Sequence, residues 1–136
     1  MVRSRFLALL LVPLAFMLMG GANPTKMVDP EPLAVPAGLT IEQISKAIKV
    51  GVTSRTGWLV TREEPGQIEA TLNVRQHMLK VNIPYSTTSV AIKYVDSKNL
   101  DYSEKNGARV IHPKWGNWTR NILSDIQREL NLLALK

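Results

Sequence analysis

The sequence predicts a small α+β domain, a four-stranded antiparallel meander with two helices packed on one face, in the order α-β-β-β-β-α. Three observations predict it. Apolar residues recur at helical spacing near each end of the region from residue 40 onward. Between those two segments, apolar and polar residues alternate strictly, the period of a half-buried strand. When the alternating runs are folded back on one another, their apolar residues fall on a single face, and a one-residue slip would send them into water.

The chain has 136 residues and begins with an address rather than with the domain. Arg3 and Arg5 form a positive start, Phe6 to Met19 is an apolar run broken by Pro13, and Gly20-Gly21-Ala22 supplies small residues. That order is the pattern of a secretory signal peptide, residues 1–22, cleaved after Ala22. The run is short for a membrane span, which needs about 20 apolar residues. An uncleaved inner-membrane anchor is the alternative reading. No later run is long enough to span, so the mature chain is expected to have no membrane segment.

Removing Arg3 and Arg5 lowers the net charge from +6 to +4. Acids are interspersed with the bases, so a nucleic-acid partner is not expected. Cysteine is absent. The core must therefore hold the domain without disulfides, and a lipid-modified N-terminal thiol is excluded.

Residues 23–38 carry Pro24, Pro30, Pro32 and Pro36. Proline removes backbone donors and favours extended geometry, which predicts an extended or disordered spacer before a single domain at 39–136. Thr40 is an N-cap with Gln43 three residues on, a capping box. Ile41, Ile44, Ile48 and Val52 then share one helix side.

Four strands follow. The first is Trp58–Glu63. In the second, Ile68, Ala70, Leu72 and Val74 alternate with Glu69, Thr71, Asn73 and Arg75. In the third, His77, Leu79, Val81, Ile83 and Tyr85 alternate with polar residues, and Val90, Ile92 and Tyr94 form the apolar face of the fourth. A two-residue loop at Arg75-Gln76 pairs Val74 with His77 and Leu72 with Leu79. A three-residue loop at Glu64-Pro65-Gly66 pairs Trp58 with Leu72 and Val60 with Ala70, burying all four. A two-residue Pro-Gly loop would expose them, so the longer loop is expected. Residues 97–110 read as a polar connection. Pro113 opens the last helix, with Trp118, Ile122, Ile126, Leu130 and Leu133 as its stripe and Asp125 facing water.

The functional signals are sparse. His77 and His112 are the only histidines, and no zinc-ligand spacing is present, so neither metal nor cofactor is expected. His77 stands on the core face at a strand end, and His112 assists the helix entry. No nucleophile elbow accompanies Asp96-Ser97, which is ordinary turn chemistry. Glu63 and Glu64 read as solvated. Trp115 either packs or stays partly exposed, where an indole can stack on a sugar or a lipid headgroup, and packing is the better-supported role. The sheet face away from the helices presents Thr71, Asn73, Lys80, Asn82 and Lys93, a surface suited to a polar or anionic ligand or to an envelope protein. One solvated face is also the ordinary state of an antiparallel sheet.

Arg75-x-His77, Val81-x-Ile83-x-Tyr85, Ile92-x-Tyr94-x-Asp96-Ser97-x-Asn99-Leu100-x-Tyr102 and Ile111-His112 with Trp118 resemble a family of small exported bacterial proteins, often described as lipoproteins, whose function is unassigned. The resemblance covers about half of the mature chain. It implies an envelope location and a local polar feature formed by His77, Asp96, Ser97, Asn99 and His112. Family members often carry a cysteine where this chain has Gly20-Gly21-Ala22. The expected function is a non-enzymatic envelope binding or accessory module in the periplasm. The alternative is a small envelope hydrolase or metal-dependent enzyme using His77, His112 and Asp96, which requires those three side chains to converge.

Overall fold

The computed structural model describes residues 23–136, and the expected signal segment at 1–22 lies outside the described residues. Among the described residues the fold is α+β, with two helices and antiparallel sheets. In chain order the elements are β1 (Thr25–Lys26), β2 (Leu33–Ala34), α1 (Ile41–Thr53), β3 (Trp58–Glu64), β4 (Gln67–Val74), β5 (His77–Pro84), β6 (Ser89–Val90), β7 (Lys93–Lys98), β8 (Ser103–Lys105), β9 (Ala108–Ile111) and α2 (Lys114–Ala134). The main sheet has the order β3-β4-β5-β7.

Local chemistry sets the element ends. Thr40 Oγ1 accepts the Gln43 N–H at 3.1 Å, and Gln43 Oε1 accepts the Thr40 N–H at 2.9 Å, completing the capping box before α1. Pro113 precedes α2 and contributes no side-chain bond. His112 supplies it instead, its Nδ1 accepting the Lys114 N–H at 3.0 Å.

The β4–β5 hairpin has the expected register, from Val74↔His77 to Ile68↔Ile83. Arg75 takes φ 55° to make the two-residue turn, a conformation usually left to Gly or Asn. The β3–β4 hairpin departs from expectation. Its loop is the two-residue Pro65-Gly66, with Glu64 paired to Gln67. A bulge between Val60 and Arg62 absorbs the extra residue, so Trp58↔Leu72 and Val60↔Ala70 are kept. One added residue in one strand restores the faces that a tight loop would reverse.

The fourth strand is shifted along the chain. Val90 and Ile92 are buried, but β6 pairs with β2 (Leu33↔Val90), and the strand beside β5 is Lys93–Lys98. A loop at Ser86–Ser89 implies pairing of Tyr85 with Val90 and of Val81 with Tyr94, and both are present, while a bulge between Lys80 and Val81 shifts the rest of the β5–β7 ladder. The polar connection at 97–110 also holds more order than expected, since β8 and β9 form a hairpin within it.

The proline-bearing segment is extended, but it is not separate from the domain. Thr25 and Lys26 pair with β9, Met27 is buried, and its N–H donates to Arg109 O at 2.9 Å. The prolines lie outside both strands, Pro24 just before β1 and Pro32 just before β2, where they favour extended entry. Residues 25–38 thus belong to the domain rather than to a spacer before residue 39.

One core joins the inward face of the main sheet (Trp58, Ile68, Ala70, Leu72, Leu79, Val81, Ile83) to Ile44, Ile48 and Val52 of α1 and Trp115, Ile122, Ile126 and Leu130 of α2. The helices meet closely at Gly51, where an added Cβ would lie 2.8 Å from the backbone of Ile126. Two assignments on α2 change. Trp115 takes the buried position and Trp118 is half-buried, because Trp115 Nε1–H finds an acceptor 2.9 Å away in Val28 O of the N-terminal arm. Asp125 is buried rather than facing water. Arg55 Nε and Nη2 donate to its two oxygens at 2.8 and 3.1 Å, and Arg128 adds a third bond at 3.2 Å.

Candidate functional site

Three of the five residues expected in the local polar feature, His77, Asn99 and His112, converge. His77 stands at the start of β5 and His112 at the end of β9, and their rings lie 5.5 Å apart, centre to centre. Trp118, one turn into α2, completes a triangle, 6.1 Å from His77 and 6.4 Å from His112 with a 7° angle between the last two planes. Asn99 anchors the group. It sits at φ 58°, a conformation Asn tolerates, donates from Nδ2 to Gln76 O at 2.6 Å and accepts from His77 Nδ1 through its own carbonyl at 2.6 Å. The loop after β7 is thereby tied to the β4–β5 turn.

Asp96 and Ser97 do not join them. Asp96 pairs with Lys80 on the outer face of the sheet, opposite to the face that His77 shares with Leu79, and its Oδ1 accepts the Ser97 N–H at 2.8 Å. Ser97 Oγ bonds the Tyr94 hydroxyl at 2.7 Å. Burial raises the pKa of that hydroxyl, with the Ser97 bond acting in the opposite sense. Tyr94 also stacks on Tyr102 at 4.2 Å and meets the edge of Trp115. The three-residue constellation required by the hydrolase reading is therefore not assembled: the histidines meet, and the carboxylate is on the other side of the sheet. Among the described residues, no group of three or more His, Asp or Glu side chains is arranged to hold a metal.

One concavity has no counterpart in the sequence reading. A groove of about 660 Å³ runs between the N-terminal arm and α2, with His112 at one end. Val28, Pro30 and Leu33 line it from the arm, and Trp115, Thr119 and Leu123 line it from the helix. The arm is held there by β1–β9 pairing, by the Trp115 bond to Val28 O, and by an Arg109–Asp29 ion pair at 3.3 Å. Lys26, Glu31, Arg120 and Gln127 stand around it, giving mostly apolar walls with a charged surround of both signs. Volumes of roughly 300–1,000 Å³ with such walls are typical of ligand sites. The sequence hid the groove because each wall reads as something else, a proline-rich spacer on one side and a solvated helix flank on the other.

On the outer face of the sheet, Thr71, Asn73, Lys80, Asn82 and Lys93 are placed together by register, as expected. Much of that face is already bonded to itself. Thr61 Oγ1 donates to Glu69 Oε2 at 2.8 Å and lies 3.0 Å from Thr71 Oγ1, Asn82 Nδ2 donates to Gln67 Oε1 at 3.0 Å, and Thr71 is 7% exposed. Glu69 also places a carboxylate among the lysines. The face is a mixed-charge solvated surface with fewer free polar groups than its residue types suggest.

No family model, curated protein or solved structure matches the chain.

Proposed function

We propose that the chain is an exported protein of the bacterial cell envelope whose folded part is a non-enzymatic binding or accessory module, and that its ligand or partner seats in the groove between the N-terminal arm and α2. The groove carries this reading. It has a volume of about 660 Å³, it has apolar walls from two elements, and it lies away from the outer sheet face. The order Arg3 and Arg5, apolar Phe6–Met19, Gly20-Gly21-Ala22 supports export. The position of β1 fits that reading as well, since Thr25 would follow a cut after Ala22 closely enough for the arm to dock at once.

A photo-crosslinking amino acid at Ser124, an exposed residue of the groove, tests the proposal in intact cells. Adducts specific to Ser124, absent when the same group is placed at exposed Glu42 on α1, are expected. An identical adduct pattern at both positions, or none at Ser124, contradicts the groove as the binding surface.

A further inference from the structure

We infer that His77, His112 and Trp118 form a saccharide-binding site, with a sugar hydroxyl held between the two imidazoles and the C–H face of the sugar ring against the indole. This rests on the binding-module reading but not on occupancy of the groove. The hydrogen bonds settle which nitrogen carries the proton on each ring. Asn99 offers a carbonyl, which only accepts, so Nδ1 of His77 carries a proton and Nε2 of the neutral ring presents a lone pair. Lys114 offers an N–H, which only donates, so Nδ1 of His112 is bare and the neutral ring carries its proton on Nε2. Backbone groups thus hold two neighbouring histidines in opposite tautomers. Neither ring is fully exposed, and no buried side-chain nitrogen among the described residues lacks a partner, so both Nε2 atoms, which have no partner among the described residues, reach solvent.

An adjacent acceptor and donor select their ligand. A carboxylate or phosphate only accepts and would face the lone pair of His77. An ammonium only donates and would face the N–H of His112. A metal ion bridging both Nε2 atoms needs two lone pairs, and freeing the second would break the Lys114 cap of α2. A hydroxyl, which donates and accepts through one atom, satisfies both rings. Half-buried Trp118, 6.1 and 6.4 Å from the two rings, adds the apolar surface that distinguishes a sugar from a lone alcohol.

Long-range proton–nitrogen NMR of the folded chain in alkaline buffer reads the tautomers, and titration with maltotriose, chitotriose and trigalacturonate reads the site. His77 is expected as the Nδ1–H form and His112 as the Nε2–H form. At least one of the sugars should shift both imidazoles and the Trp118 indole together at millimolar concentration. Trp118→Ala should weaken that response about tenfold while the tautomers are kept, and should Trp118→Ala not fold, His77→Phe replaces it as the variant expected to lose the response. Matching tautomers, a Zn²⁺ response at both rings, a response to N-acetylalanine amide in place of the sugars, or no movement with any of the three sugars overturns the site. Shifts confined to the methyl groups of Val28 and Leu123 overturn it as well, while leaving the groove reading intact.

Discussion

Asp125 shows what a single residue contributes here. Its carboxylate is 4% exposed and accepts two bonds from Arg55 and one from Arg128. The hydrogen bond from Arg55 is the main cause that holds its pKa below the ordinary carboxylate value, against the desolvation that would raise it. A lowered folded-state pKa gives stability that is present above the unfolded value and is lost as the pH falls through the folded one. Arg55 is 45% exposed, so solvent screens the pair and the effect is smaller than for a fully buried one. Asp125→Asn is expected to cost about 1–3 kcal/mol near neutrality. The gap from the parent chain should narrow below about pH 4. Urea denaturation of both chains at the two pH values checks this, and a gap that widens in acid would count against the sign.

Individual residues also show where the sequence was legible. Thr40 and Gln43 form the capping box their spacing implies, and His112 does assist the entry of α2. Asp125 was not legible because its partner lies 70 positions away. A carboxylate between Ser124 and Ile126 looks solvated until Arg55 is brought to it. Trp115 and Trp118 changed roles for a similar reason, since the acceptor that lets Trp115 bury its N–H belongs to the arm.

At the scale of elements, the contact of α1 with α2 depends on a residue with no side chain. A Cβ on Gly51 would meet the backbone and side chain of Ile126 at 2.8 Å, so the helices would have to separate. Overpacking of this kind costs about 1–3 kcal/mol, more than the gain in helix propensity of roughly 1 kcal/mol from replacing Gly. Gly51→Ala should therefore lower the thermal midpoint, measured by circular dichroism, although the same change on an exposed helix face raises stability. An unchanged or higher midpoint would mean that the helices can move apart freely.

Strand register was legible where two alternating runs meet at a short turn, as in β4–β5. It was less so where a bulge intervenes. Alternation alone requires Trp58 and Val60 to face inward, but it does not say whether a longer loop or a bulge at Thr61 achieves this. The fourth strand moved because Val90 is buried where β6 pairs with β2, and Ile92 is buried in the link between β6 and β7 without pairing in a strand. Apolar alternation identifies a face to bury, not the neighbour that buries it.

At the scale of the whole molecule, the arm changes the account most. Read from composition, residues 23–38 are a tether. In the structure they close one edge of the β8–β9 hairpin, contribute Met27 to the core and form one wall of the groove. The histidine pair was legible only as two isolated residues, because 35 positions separate them and the loop held by Asn99 brings them together. The proposal of an exported chain cut after Ala22 places that cut just before Thr25 of β1. Intact mass spectrometry of the chain recovered from cell fractions tests this most directly. The account predicts the mass of a chain beginning at Asn23, found in the soluble envelope fraction. A mass that retains residues 1–22, recovered with the membrane, would contradict it.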